Sequence, residues 1–123
     1  MSKFKKAMSL IAAAAVTIGV GSVSVSAAFD SCSYGTFEWN NSYCTVKNST
    51  NTSRYMTAYF DVYEKNTGKY IDSSFSSGSG AYGTTVTANN PTSHSSLNSY
   101  RWVGAIYNSQ SPNSGAAYTF DKP

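Results

Sequence analysis

Tyr55-Met56-Thr57-Ala58-Tyr59-Phe60-Asp61-Val62-Tyr63-Glu64 alternates in chemical character along its whole length. Successive side chains of a strand point to opposite faces, so Met56, Ala58, Phe60 and Val62 share one face and Tyr55, Thr57, Tyr59, Asp61 and Tyr63 the other. The stretch is predicted to be a strand with an apolar inner face and a tyrosine-lined outer face. Lys65-Asn66-Thr67-Gly68 follows it. That run suits a type I turn with Gly68 in the left-handed conformation and a bulge. Residues 69–75 are then expected to return antiparallel. A turn centred near Thr67 would set Asp61 opposite Asp72, Tyr63 opposite Tyr70 and Tyr59 opposite Ser74.

Alternation recurs over residues 33–39, 43–48, 82–88 and 116–120, while 100–107 is apolar on both sides and reads as a central, doubly covered strand. Long helical periodicity is absent beyond Ala28. About seven short strands with frequent turn signals predict an all-β fold, a small antiparallel β-sandwich of immunoglobulin-like or jelly-roll-like kind. Residues 48–53, 76–80, 89–98 and 109–115 read as polar connections, and 89–98 is long enough to be a functional loop.

The N-terminus has the form of an export signal. Lys3, Lys5 and Lys6 make a basic head, residues 7–18 an apolar run broken by Gly19 and Gly21, and Val25-Ser26-Ala27 a small-residue exit. Residues 1–27 are therefore expected to be a cleaved signal peptide, and 28–123 a single domain. The glycines, serines and Thr17 make the run a poor membrane anchor, so no stable span is expected after cleavage. The compact, lysine-headed, alanine-rich leader looks bacterial, and the protein is expected to be secreted and extracellular. Of the nine lysines and arginines three lie in the leader, which leaves six against the six aspartates and glutamates. Those six basic residues are scattered, so the basic stripe that nucleic-acid binding needs is missing.

Cys32 and Cys44 are the two cysteines. In an oxidising compartment they are expected to form a disulfide. A two-residue turn at Asn40-Asn41 conflicts with that pairing. It would set Cys44 opposite Phe37 and leave Cys32 five residues along the strand, about 16 Å away at about 3.3 Å per residue. A disulfide needs Cα atoms within about 7 Å. The compartment favours the disulfide, with a wider loop over residues 38–41.

Catalytic chemistry finds little material. His94 is the single histidine, set in Ser93-His94-Ser95-Ser96 without the orienting partner and oxyanion site that nucleophilic catalysis requires. It reads as a solvated loop residue. One histidine and two paired cysteines are too few for zinc, and no loop has the carboxylate density of a calcium site, so neither a metal nor a cofactor is expected. Asp61 and Asp72 are the one motivated carboxylate pair for glycoside hydrolysis. Asn-X-Ser/Thr sequons at Asn40, Asn48 and Asn51 mark exposed polar loops.

Aromatic content is the positive signal, with ten tyrosines, six phenylalanines and two tryptophans. Flat rings with hydroxyl rims stack on sugars and anchor protein interfaces at low entropic cost. A non-enzymatic binding module is therefore expected. Tyr55, Tyr59, Tyr63 and Tyr70 would stack on the ligand, Asp61 and Asp72 would accept hydrogen bonds, and the partner would be an envelope polysaccharide or an extracellular protein. Through Tyr34-Gly35-Thr36, Asn66-Thr67-Gly68-Lys69 and Gly115-Ala116-Ala117-Tyr118 the chain resembles small exported bacteriocins of the lactococcin 972 kind, which are β-sandwich peptides acting at the cell envelope. That resemblance implies an antimicrobial or toxin-like action on competitor envelopes. It transfers no functional residue, because this chain is longer, has two cysteines and lacks abundant histidine.

Overall fold

The computed structural model describes residues 27–123, and the predicted signal peptide falls outside the described residues save for Ala27. Eight strands follow: β1 (Ala28–Ser31), β2 (Gly35–Trp39), β3 (Tyr43–Asn48), β4 (Arg54–Glu64), β5 (Tyr70–Gly80), β6 (Thr85–Asn89), β7 (Asn98–Tyr107) and β8 (Ala116–Lys122). They form two antiparallel sheets, ordered β1-β2-β3-β6 and β5-β4-β7-β8. The all-β sandwich expected from the alternation is the observed architecture, with one strand more.

The stripe on β4 points inward as its spacing requires. Met56, Ala58, Phe60 and Val62 are fully buried, and they meet Phe37, Cys44 and Val46 from the facing sheet. Phe37 stacks on Phe120 with ring centroids 5.3 Å apart, and Phe60 sets its edge against Tyr100 at 5.3 Å. Full burial of such a side chain contributes about 1.5 to 3 kcal/mol. Gly104 makes the close approach possible, since a Cβ there would lie 2.5 Å from Val46 and 2.6 Å from Phe37. Gly68 takes φ +74, the left-handed turn position that its sequence context predicted.

Four expectations are corrected. Residues 76–80 are not a connection, because β5 continues through them and pairs Ser76 to Gly80 with Ala58 to Arg54. The register slips by one between Val62 and Tyr63. Tyr63 still faces Tyr70, but Asp61 faces Ser73, Val62 faces Asp72 and Tyr59 faces Phe75. Inserting one residue in a strand moves all that follows to the opposite face. Asp72 therefore sides with Val62 and Ser74, away from Asp61.

The third correction concerns the cysteines, which are both free. Trp39 pairs with Cys44, and the amide of Asn40 donates to the carbonyl of Tyr43 at 2.9 Å, closing a tight hairpin on Asn41 and Ser42. Cys32 instead bonds through its amide to Gly35, whose strand partner Asn48 lies four residues from Cys44. That distance is about 13 Å along the ladder, too far for a disulfide. Geometry within the hairpin outweighs the compartment inference.

The fourth concerns Asn48, read as an exposed sequon. It is fully buried. Its amide donates to the carbonyls of Thr52 at 2.9 Å and Gly80 at 2.8 Å, and its oxygen accepts from the Thr50 amide and hydroxyl. The residue pins three chain segments at one end of the sandwich. At the other end, loop 90–97 is tethered rather than free: Asn90 donates to the Asn41 carbonyl, and the Tyr100 hydroxyl lies 3.1 Å from His94 Nδ1.

Candidate functional site

β4 is an inner strand of its sheet, flanked by β5 and β7. Its outward residues are thus the middle column of a face four strands wide. Tyr55, Tyr59 and Tyr63 recur every fourth residue on that column, about 13 Å apart at about 3.3 Å per residue. Register sets a ring beside each of them. Tyr55 meets Tyr107 edge-on at 4.9 Å, Tyr59 meets Phe75 at 4.7 Å, and Tyr63 meets Tyr70 at 6.0 Å. Cross-strand aromatic pairs of this kind are favourable beyond their area burial.

These rings cover the sheet as well as decorating it. Thr57 and Ala105, on the outer face between them, are buried. Yet the outer surfaces of the rings stay open, with Tyr59 40% exposed, Tyr70 54% and Phe75 52%. Phe75 was expected on the other face from Tyr70, and the bulge brings the two together. Tyr107 and Phe75 were not foreseen as site residues; pairing the β4 stripe against its neighbours in the correct register is the signal that finds them.

A charged row crosses the same face. Asp61 sits opposite Arg101 in the β4–β7 ladder, and Arg101 makes a fork to Asp121, Nε to Oδ1 at 2.9 Å and a terminal nitrogen to Oδ2 at 2.6 Å. The Arg101 hydrogen bond holds the Asp121 carboxyl below its ordinary range. Asp61 goes the other way: partial burial raises its carboxyl, with Arg101 opposing and Asp121 adding to the rise. The hydrogen bonds it donates to Asp121 hold the Arg101 guanidinium firmly protonated. The row offers acceptors and a planar donor between aromatic rings, the mix that polar ligands with apolar faces require.

Of the six residues predicted to contact a ligand, Tyr55, Tyr59, Tyr63, Tyr70 and Asp61 share this face, and Asp72 does not. Asp72 accepts a hydrogen bond from the Ser73 amide at 2.8 Å. Where the bulge ends the platform, Glu64, Lys69, Tyr70 and Ile71 line a shallow hollow. Among the described residues no three histidine, cysteine, aspartate or glutamate side chains converge as a metal centre would need. The opposite outer face, on β1-β2-β3-β6, has a different chemistry: Thr45 and Thr87 share a hydrogen bond of 2.7 Å, and Tyr43 donates to Glu38 at 2.9 Å. Burial, and then that carboxylate, raise the Tyr43 hydroxyl.

No protein-family model, no curated protein and no solved structure matches the chain.

Proposed function

We propose that the chain is a secreted, non-enzymatic bacterial β-sandwich protein that binds a cell-envelope or extracellular ligand, polysaccharide or protein, through the outer face of β5-β4-β7-β8. One observation carries this: three aromatic pairs stand in register on a face that the core does not use. The interior is already filled by Phe37, Phe60, Phe120 and their neighbours. A solvent-facing cluster of rings rimmed by hydroxyls and charges is the surface composition of a recognition site. Kinship with immunoglobulin-like or jelly-roll sandwiches enters as architecture only, two antiparallel sheets face to face. The β1-β2-β3 meander has a strand order of its own, and function belongs to sites rather than folds.

Purified protein incubated with isolated bacterial wall polysaccharide and with a glycan array tests the proposal. Replacing Tyr59→Ala and Phe75→Ala together is expected to weaken binding at least about tenfold, because truncated aromatic anchors each cost more than about 1 kcal/mol. The variant loses the stability of that aromatic pair, so binding is compared at a temperature where circular dichroism shows both proteins folded. Binding that survives the double change removes the site. Growth inhibition of other bacteria by the same preparation would assign the surface to antimicrobial action instead.

A further inference from the structure

β5 is an open edge: among the described residues it pairs with β4 alone. Such edges are templates for further pairing unless they are short, charged or kinked. The other three edges of the sandwich carry those guards. β1 and β6 are 4 and 5 residues long, and β8 holds Asp121 and Lys122, both in ion pairs. β5 has 11 residues, and from Ser73 to Gly80 it contains no charge, no proline and no register shift. Its middle residue, Phe75, is 52% exposed on the aromatic face.

We propose that β5 pairs antiparallel with β5 of a second copy about a two-fold axis through Phe75, joining two β5-β4-β7-β8 sheets into one continuous sheet. The occupant is a second copy because the strand is complementary to itself about that residue. In this register Phe75 meets Phe75, Ser73 meets Ser77, Ser74 meets Ser76, and Asp72 meets Gly78. The one charge of the strand faces a glycine, so no like charges oppose each other across the seam. From Ser73 to Gly80 every residue but Phe75 is serine or glycine, which keeps both edges slim there, and amides and carbonyls that β4 leaves unpaired gain partners. The contact is isologous and closes as a dimer, which leaves no edge of this kind for further growth. Each copy also contributes to the other's recognition face: Tyr59 already lies against Phe75 at 4.7 Å, and pairing extends that contact into a row of four rings. The inference is independent of which ligand the face binds.

Sedimentation at submillimolar concentration is expected to show a reversible dimer. Phe75→Lys, which sets two ammonium groups against each other on the axis, is expected to return the protein to a folded monomer whose far-UV circular dichroism matches the parent and whose melting midpoint falls with the lost Tyr59 contact and the lost partner. Register is read by crosslinking in a Cys32→Ser background. Phe75→Cys brings two thiols directly opposite, with Cβ atoms about 5 Å apart, and is expected to form a reducible covalent dimer in air. Ser79→Cys shares the same face, but its two copies lie eight residues out of register, about 26 Å apart, and it should remain uncrosslinked. A parent protein that sediments as a monomer throughout overturns the proposal. Equal crosslinking of both cysteine variants overturns it too.

Discussion

Asn48 is a polar side chain without exposure, and its hydrogen bonds tie the end of β3 to the loop through Thr50 and Thr52 and to Gly80 at the end of β5. A buried carbonyl stripped of its donor costs its full desolvation. Asn48→Ala should therefore lower stability by about 2 to 3 kcal/mol in urea unfolding, although the position reads as an exposed loop in the sequence. Cys44 makes a different point. Its thiol is fully buried and donates to the Tyr59 carbonyl at 3.2 Å, and burial pushes it up to about 12. Thiolate is the reactive form, so Cys44 should resist alkylation in the native state while half-buried Cys32 is modified first. Mass spectrometry of the alkylated protein reads this directly. Reductant should leave the melting midpoint unchanged, since no disulfide is there to break.

The Asp61–Arg101–Asp121 row belongs to the element scale, because the β4–β7 and β7–β8 ladders create it. Its two carboxylates respond to pH with opposite sign. Asp121, held low by Arg101, contributes stability that is present above the ordinary carboxylate range and is lost as pH falls through its depressed value. Asp61, raised by burial, is favoured when protonated, so its ionised form at neutral pH works against folding. Asp61→Asn should accordingly be neutral to mildly stabilising at pH 7, within about 0.5 kcal/mol for a half-buried group whose charge Arg101 partly offsets. Any gain should vanish in acid, as paired denaturation curves at the two pH values will show. The hairpin that sets this row was largely legible. Alternation fixed β4, Gly68 marked the turn, and Tyr63 faces Tyr70 as the turn chemistry requires. The bulge at Ile71 was not legible, since nothing in Tyr70-Ile71-Asp72 announces an extra residue. The Ser76-to-Gly80 half of β5 was missed because serine and glycine have low strand propensity, and pairing with β4 overrides it. Likewise β1 pairs with β2 from a sequence, Ala28-Phe29-Asp30-Ser31, too short to alternate audibly.

At the scale of the whole molecule, the two sheets are held at their rims by different means. Along one side the Ser74 hydroxyl donates to the Asn89 carbonyl across the β5–β6 corner. Along the other, Lys122 Nζ lies 2.7 Å from Asp30 Oδ2 and 5.4 Å from the centre of the Trp39 ring. The ion pair is partly exposed and the cation–π contact modest, so Lys122→Ala should cost about 1 kcal/mol, and less in high salt. Between these rims the core accounts for one face of each sheet and leaves both outer faces to other duties. One is threonine-rich and the other aromatic, so recognition can be assigned by asking which face a ligand perturbs. The direct measurement is an NMR titration of isotope-labelled protein with solubilised wall polysaccharide or an extracellular partner. Shifts are predicted to cluster on Tyr55, Tyr59, Tyr63, Tyr70, Phe75 and Tyr107. Shifts confined to the Thr45 and Thr87 face, with those rings unmoved, would contradict the account.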